Sequence, residues 1–400
     1  MDERATAERG RGIDRVLFIT VTLLAACGIV MVYSASAVTA ARQLGNPSYF
    51  LVRQTIYAGV GLAVMLVASR IDTRVWARLI YPSLALSLLG VVISLTRLGM
   101  TLNGASRWIS LGPITVQPAE ALKLSLVLWL SYSLAKKSDK IKTFSIGFLP
   151  HLLVPGIAII LCLLQPDFGT AVVLALLTFS LLFVAGAKLG YIMGAALLAA
   201  PVAYLLVTGS EYRLKRLLTF LDPLSTRFGD GYQLSQSLFG FGAGGVTGVG
   251  LGDGMQKFLF LPEAHNDFIA AIIAEELGMV GVLAVMLLIG IVVQRGVAIA
   301  FRARDEFGTY VALGISVLIG LQTLANLGVA MGLLPTKGLN LPFISFGGSA
   351  LVMTLLAVGI LLGISRQSGA EAVANEVAEG ADGGTGVNRR RQPSEEGAGG

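Results

Sequence analysis

The sequence predicts an all-α membrane protein of about ten transmembrane helices. Of its 400 residues, 54% are hydrophobic and only 14% are charged, whereas soluble domains carry about 25% charged residues. The apolar residues occur in long blocks, and a bilayer core needs about 20 mostly apolar residues per helix. Backbone polar groups have no water partner in lipid, so these blocks are expected to be helices and not open strands.

Ten apolar blocks are candidates for these spans. They lie at residues 16–37, 51–68, 79–98, 118–135, 146–164, 169–186, 190–208, 267–294, 309–331 and 344–364. Basic residues are concentrated at 4–15, 70–78, 136–142, 188, 295–304, 366 and 389–391. Because cytoplasmic connections carry most Lys and Arg, this pattern places both termini in the cytoplasm. Ala35-Ser36-Ala37 resembles a signal-peptide cleavage site, but we expect an uncleaved first span.

Three regions follow from this pattern. Residues 1–14 form a cytoplasmic N-terminal segment, residues 15–365 form the multi-pass membrane domain, and residues 366–400 form a polar cytoplasmic tail that is expected to be disordered. Two outer connections are long, at 99–117 and, between the seventh and eighth spans, at about 209–266. Connections of that length are usually functional or disordered. Apolar residues mixed with glycine in the second one predict a folded segment at the membrane surface or re-entering it.

Few ionisable residues lie within the spans, and such residues are functional candidates by default. Glu120 and Lys123 are three residues apart, so they share a helix face. They form either an internal salt bridge or part of a charged pocket, and the spacing does not decide between the two. Asp267 opens the eighth span, where it is either a capping carboxylate or a general base at the outer surface. Glu275 and Glu276 are expected to be polar groups that take part in helix packing.

Several cations lie in the predicted outer connections, against the concentration of Lys and Arg on the predicted cytoplasmic side. They are Arg107, next to Trp108, in the first long connection, and Arg213 and Arg216 in the second. They are expected either to contact lipid headgroups or to bind phosphate or pyrophosphate, which the guanidinium fork suits. Trp108 is equally suited to be a membrane-interface anchor. No P-loop, GxSxG or HExxH pattern occurs, which disfavours ATP-driven transport and the common hydrolases.

Long, ordered motifs run through the whole apolar body. They read RWI at 107–109, QPAE at 117–120, QPDFGT at 165–170, YQLSQS at 232–237, LPEAHNDF at 261–268, EELG at 275–278, LPTKGL at 334–339 and LPFISFGGS at 341–349. Over about residues 14–365 the chain resembles the SEDS (shape, elongation, division and sporulation) family, and it is closest to the cell-division members. Three positions depart from the usual pattern, Ala119, Asn266 and Phe346, and none of them removes an ionisable group.

The resemblance implies a peptidoglycan glycosyltransferase that polymerises lipid II through β-1,4 links and releases undecaprenyl pyrophosphate. It places the enzyme in the bacterial inner membrane at the division septum. The implied partners are lipid II, a class B penicillin-binding protein (an FtsI-like transpeptidase), other membrane proteins of the divisome and the bilayer, and no nucleic acid.

The family's essential aspartate falls on Asp267, which is therefore the candidate general base. The candidates for binding substrate or pyrophosphate are Arg107, Trp108, Glu120, Lys123, Arg213, Arg216 and His265. A divalent cation, Mg²⁺ or Mn²⁺, is left open as an aid to the departure of the pyrophosphate. The alternatives are a lipid II flippase or transporter, which buried charges and helix-breaking Gly and Pro also suit, and a scaffold that only recruits the transpeptidase.

Overall fold

The structure is a computed structural model that describes residues 12–102, 105–112, 114–258 and 260–385. Residues 1–11 and 386–400 lie outside the described part, and with them most of the predicted N-terminal segment and the end of the predicted tail. The fold is mainly helical. Its α-helices are α1 (Arg15–Leu44), α2 (Tyr49–Ala68), α3 (Thr73–Ser94), α4 (Pro118–Lys136), α5 (Pro150–Leu164), α6 (Phe168–Val184), α7 (Leu189–Thr208), α8 (Glu211–Leu221), α9 (Tyr232–Gly244), α10 (Ile269–Phe301), α11 (Glu306–Ala330) and α12 (Gly348–Thr385).

All ten predicted blocks are helical, which confirms the predicted fold class. Among the described residues, eight helices are long and apolar enough to cross a membrane. They include α5 together with the π-helical turn Phe144–Phe148 that precedes it, and the first part of α12. Helix α6 is apolar but shorter, at 17 residues, and α4 carries Glu120 and Lys123. The chain is therefore a multi-pass membrane protein, and ten crossings with both termini in the cytoplasm remain a prediction.

Local signals set the helix ends and tie α1 to the bundle. The Asp14 carboxylate accepts a hydrogen bond from the Leu17 N–H (2.9 Å) at the start of α1. It also accepts one from Arg295 Nε (2.9 Å) on α10. Gly45 ends α1 in the left-handed conformation (φ 68°), which glycine adopts without steric cost.

The first long connection, at 99–117, folds as a small antiparallel sheet, which the sequence did not predict. Strands β1 (Gly99–Leu102), β2 (Ala105–Leu111) and β3 (Ile114–Val116) lie in the order β1-β2-β3. Ile109 of β2 pairs with Gly99 on one side and with Val116 on the other. The sheet fixes the position of β2, and β2 carries Arg107 and Trp108.

The second long connection contains α8 and α9, followed by a segment that is built into a break in α10. The break lies at Gly278, whose backbone is not helical (φ 67°, ψ −169°). The Glu275 and Glu276 carbonyls accept hydrogen bonds from the N–H groups of Val249 and Gly250, both at 3.0 Å. Backbone groups in a membrane bundle need such partners, so the inserted segment stabilises the broken helix.

The side chains of Glu275 and Glu276 fix the same segment, so the packing role predicted for them is confirmed. Glu275 accepts from the N–H groups of Met255 (2.7 Å) and Gln256 (3.1 Å). Glu276 pairs with Lys257 Nζ at 2.9 Å.

Helices α4 and α11 lie in the middle of the bundle, where most of their residues are buried. Helix α7 lies at its edge and has no buried residue. Helix α12 continues to Thr385, so the first part of the predicted tail, from residue 366, is helical in the structure. Residues 386–400 of that tail lie outside the described part.

Candidate active site

A cavity of about 1030 Å³ opens at one end of the bundle. Its walls come from β2, from the turn between α5 and α6, and from α8. Two further parts of the wall are the segment 262–268, which precedes α10, and the segment 335–340, which follows α11. The first turn of α12 and the first half of α2 also contribute, as do single residues of β3, α7 and α9. In the predicted topology these elements all lie at the outer side, and no described residue of the opposite connections (69–72, 137–149, 185–188 and 302–305) lines the cavity.

Asp267 lies in the cavity wall and is half-buried, so its carboxylate is open to the cavity. Helix α10 begins at Ile269, its N-cap is Phe268, and no side chain caps it. The capping role that was one alternative for Asp267 is therefore wrong for this structure. The carboxylate lies beside Gly338, where an added Cβ would be 3.1 Å from Asp267 Oδ2 and 3.6 Å from Arg107 Nη1.

The electrostatic surroundings of Asp267 change its proton affinity. Burial raises the pKa of the Asp267 carboxyl to about 7, and the nearby Glu263 carboxylate contributes in the same direction. Arg107 and Arg216 act in the opposite direction, and their effect is smaller. Desolvation disfavours the charged form of an acid. A carboxyl group with a pKa near 7 is matched to general base catalysis at neutral pH.

Arg107 reaches the cavity from β2 and is held by the turn between α5 and α6. Its Nη2 donates to the Pro166 carbonyl at 2.5 Å, and its Nε lies 4.0 Å from Asp167 Oδ2. Asp167 is buried and also caps α6, because Oδ1 accepts from the Thr170 N–H (3.1 Å) and Oδ2 from the Thr170 hydroxyl (2.9 Å). Asp167 therefore has a structural role as the N-cap of α6, and it also orients Arg107. Trp108 lies beside Arg107 in the cavity wall.

Further cations surround the cavity, and two of them were not candidates from the sequence. Arg213 and Arg216 line it, as expected; Arg213 Nη1 donates to the Leu206 carbonyl (2.8 Å) and Arg216 Nη1 to the Thr336 carbonyl (3.1 Å). Lys337 and Arg53 are the additional residues. Burial lowers the pKa of the Lys337 ammonium.

Sequence reasoning missed these two for different reasons. Lys337 belongs to the LPTKGL motif, which contributed to the family resemblance without suggesting a role for this lysine. Arg53 carried no signal, because it lies inside an apolar block and reaches the cavity only through the packing of α2. Among the residues that the structure describes, the charged ones that line the cavity are five cations, Arg53, Arg107, Arg213, Arg216 and Lys337, and three acids, Asp167, Glu263 and Asp267.

Glu120 and Lys123 do not line the cavity. Both are buried on α4, and Lys123 Nζ lies 2.8 Å from Glu120 Oε1. The structure therefore has the arrangement expected of an internal salt bridge, one of the two alternatives that the sequence left open.

His265 is likewise behind the cavity wall. Its ring packs against Phe50 and Phe346, with ring centroids 4.4 Å and 5.6 Å away. Burial lowers the pKa of His265 to about 4, so the imidazole is neutral at pH 7. It is placed to support the Asp267 segment by packing and not to contact a ligand in the cavity.

The donor set of the described residues does not suit a metal ion. No group of three or more His, Cys, Asp or Glu side chains among them could hold one. The carboxylates of the cavity are interspersed with arginines, which repel a cation. The described lining residues therefore supply no metal site of their own.

The fold and motifs match those of a known family. The family model for FtsW, RodA and SpoVE, described as "Cell cycle protein", matches residues 14–370. This chain belongs to the FtsW/RodA/SpoVE family. A relative from Trichlorobacter lovleyi, named "Probable peptidoglycan glycosyltransferase FtsW", is 48% identical over 353 residues, covering 88% of this chain and 93% of the relative.

Solved structures agree with this assignment. A chain in a structure titled "Structural coordination of polymerization and crosslinking by a peptidoglycan synthase complex" superposes with a TM-score of 0.74 at 29% identity, and covers 89% of this chain and 98% of that one. The rod shape determining protein RodA of Thermus thermophilus superposes with a TM-score of 0.66 at 27% identity, covering 89% and 97%. The SEDS resemblance drawn from the motifs is thereby confirmed.

Proposed function

We propose that this chain is a peptidoglycan glycosyltransferase that polymerises lipid II into glycan strands. The observation that carries the proposal is the open carboxylate of Asp267 in a cavity whose other charged groups are mostly cations. The activity named for the relatives supports it, as does the superposition on a chain of a peptidoglycan synthase complex. A lipid-linked substrate also explains why the site is built at the end of a membrane bundle.

In the proposed reaction Asp267 is the general base. It takes the proton from the 4-hydroxyl of the acceptor sugar as that oxygen forms a bond to the anomeric carbon of the donor. The bond between the anomeric carbon and the pyrophosphate oxygen breaks at the same step, and the bonding pair leaves with the pyrophosphate. A single displacement at an α-linked phosphate gives a β-1,4 link with inversion.

The cations of the cavity are proposed to bind the pyrophosphate. Arg107 is the strongest candidate, because the carbonyl of Pro166 and the carboxylate of Asp167 orient its guanidinium beside Asp267. Arg213, Arg216 and Lys337 extend the positive lining. Preoriented cations that face developing negative charge stabilise a transition state by several kcal/mol.

The setting of the reaction is part of the same proposal. The chain is proposed to act at the outer face of the bacterial inner membrane during septal cell-wall synthesis, with both termini in the cytoplasm. A class B penicillin-binding protein is proposed as its partner and would cross-link the strands that this chain makes. The synthase complex among the structural relatives supports such a partner.

Reconstitution of the purified full-length protein in liposomes with fluorescent lipid II tests the function. We expect glycan polymer that a muramidase digests, either from the chain alone or once the partner is added. Transfer of lipid II between leaflets without polymer would support a flippase. The absence of both polymer and transfer, with the partner present, would identify a scaffold and contradict the proposal.

A further inference from the structure

Three consecutive backbone carbonyls, those of residues 265–267, accept hydrogen bonds from groups outside this segment. The His265 carbonyl accepts from the Phe346 N–H (2.9 Å), and the Asn266 carbonyl accepts from the Ser345 hydroxyl (2.7 Å). The Asp267 carbonyl accepts from Asn326 Nδ2 at 2.8 Å. Two of these donors lie in the segment between α11 and α12, and the third is a buried side chain of α11.

Helix α10 does not provide the bond that Asn326 makes. In a regular helix the Asp267 carbonyl would accept from the N–H of Ala271, four residues later. Here the Ala271 N–H donates instead to the Phe268 carbonyl (2.9 Å). The position of Asp267 therefore depends on groups outside its own helix.

Asn326 also connects Asp267 to the neighbouring segment of the cavity wall, at residues 337–339. The same Nδ2 donates to the Leu339 carbonyl at 2.6 Å, so both amide protons are used. Leu339 follows Lys337 and Gly338, which line the cavity, and Gly338 lies against the Asp267 carboxylate. One buried amide thus fixes the base and the Lys337–Gly338 wall relative to each other.

The orientation of this amide follows from its partners. Both neighbouring groups are carbonyl oxygens, so a flipped amide would place oxygen against oxygen. Asn326 Oδ1 is buried and accepts a hydrogen bond from no residue in the described part of the chain. Burying an amide oxygen in this way costs free energy, and an apolar side chain of the same shape avoids that cost. What the asparagine supplies is its pair of donors.

We propose that Asn326 is a positioning residue for Asp267, with Ser345 in a supporting role. The inference rests on the proposed glycosyltransferase function. The hydrogen bonds of the two side chains go to backbone groups, and neither side chain lines the cavity. They therefore act through the placement of the base and not on the substrate. Misplacing a catalytic group by about 1 Å costs on the order of 10²-fold in rate.

Asn326→Leu tests the inference, because leucine has a similar shape and no donor. We expect kcat for lipid II polymerisation to fall about 10- to 100-fold while KM changes less than about threefold, since the cations that bind substrate are untouched. Ser345→Ala removes the hydroxyl that donates to the Asn266 carbonyl. We expect it to lower kcat about 10-fold and to leave KM unchanged. It serves as the second variant if Asn326→Leu does not fold.

Thr323→Val is the matched control. Thr323 is buried on α11 one turn before Asn326, and its hydroxyl donates to the Ile319 carbonyl of its own helix (2.8 Å). We expect this variant to keep wild-type kcat and KM. If the wild type makes polymer and both Asn326→Leu and Ser345→Ala keep its kcat, the positioning role is overturned and the proposed function stands. A wild-type protein that makes no polymer with its partner present would overturn the proposed function as well.

Discussion

Two sets of charged groups, the buried Glu120–Lys123 pair on α4 and the half-buried Asp267 at the cavity, are alike in the sequence and different in the structure. Both lie in or beside apolar blocks. Lys123 is neutralised locally by Glu120 at 2.8 Å, and neither residue lines the cavity. Asp267 instead opens into the cavity, where burial raises its pKa and the nearest opposing influences are the cations Arg107 and Arg216.

The contrast shows what distinguishes a structural charge from a reactive one in a membrane bundle. A buried ion pair satisfies its own charges, and removing one partner is strongly destabilising because it leaves the other unpaired. A carboxylate with a perturbed pKa in a cavity remains free to exchange a proton with a ligand. We therefore expect substitutions in the first set to change stability and substitutions in the second to change the rate of the reaction.

The largest expected effect is that of Asp267→Asn. Removing a general base lowers the rate by about 10² to 10⁴, and the amide keeps the shape of the side chain. Polymer formed by the purified variant from labelled lipid II measures this effect, and lipid II binding should be retained. Polymerisation at the wild-type rate would show that Asp267 is not the base.

The same variant should not lose stability at neutral pH. The pKa of Asp267 is raised in the fold, from 3.8 to about 7, so between about pH 4 and 7 the folded protein holds a proton that the unfolded chain has released. Wild-type stability therefore falls as the pH rises through this window, by at most about 4 kcal/mol. Asparagine removes this loss, so we expect the Tm of Asp267→Asn in detergent to exceed that of the wild type at pH 8 and to equal it at pH 4.

Lys123→Met is expected to act on stability. It leaves the Glu120 carboxylate buried without its partner, which costs about 3–5 kcal/mol. The double variant Glu120→Gln with Lys123→Met removes both charges and should recover most of the lost Tm. A double variant that is as stable as the wild type but makes no polymer would give the pair a direct role in the reaction and contradict its purely structural role.

The sequence predicted the apolar helices well, because their length and composition are dictated by the bilayer. It also selected Asp267, Arg107, Arg213 and Arg216, which the structure brings to one cavity. The short strands of the 99–116 sheet carry little pattern of their own. Nor could the sequence show that the segment after α9 supplies hydrogen-bond partners at the break in α10. Those bonds join Val249 to Glu275 and Gly250 to Glu276, 26 positions apart in each case, which is beyond the reach of a local pattern.

Gly338→Ala is expected to have a smaller effect. The new Cβ would lie 3.1 Å from Asp267 Oδ2, which is close enough to displace the carboxylate by a few tenths of an ångström. We expect kcat to fall about 10-fold. Gly290→Ala on α10 is the matched control, since an added Cβ there meets nothing within 4 Å, and its kcat should equal that of the wild type. Equal kcat values in both variants would mean that the Gly338 contact does not position the base.

The pH dependence of lipid II polymerisation by the reconstituted wild-type protein tests the base role of Asp267 most directly. Only the ionised carboxylate accepts the proton, and its pKa is about 7. We expect a rate that rises about tenfold per pH unit below 7 and levels off above it. A rate that stays constant from pH 5 to pH 8, under conditions in which the chemical step is limiting, would contradict it.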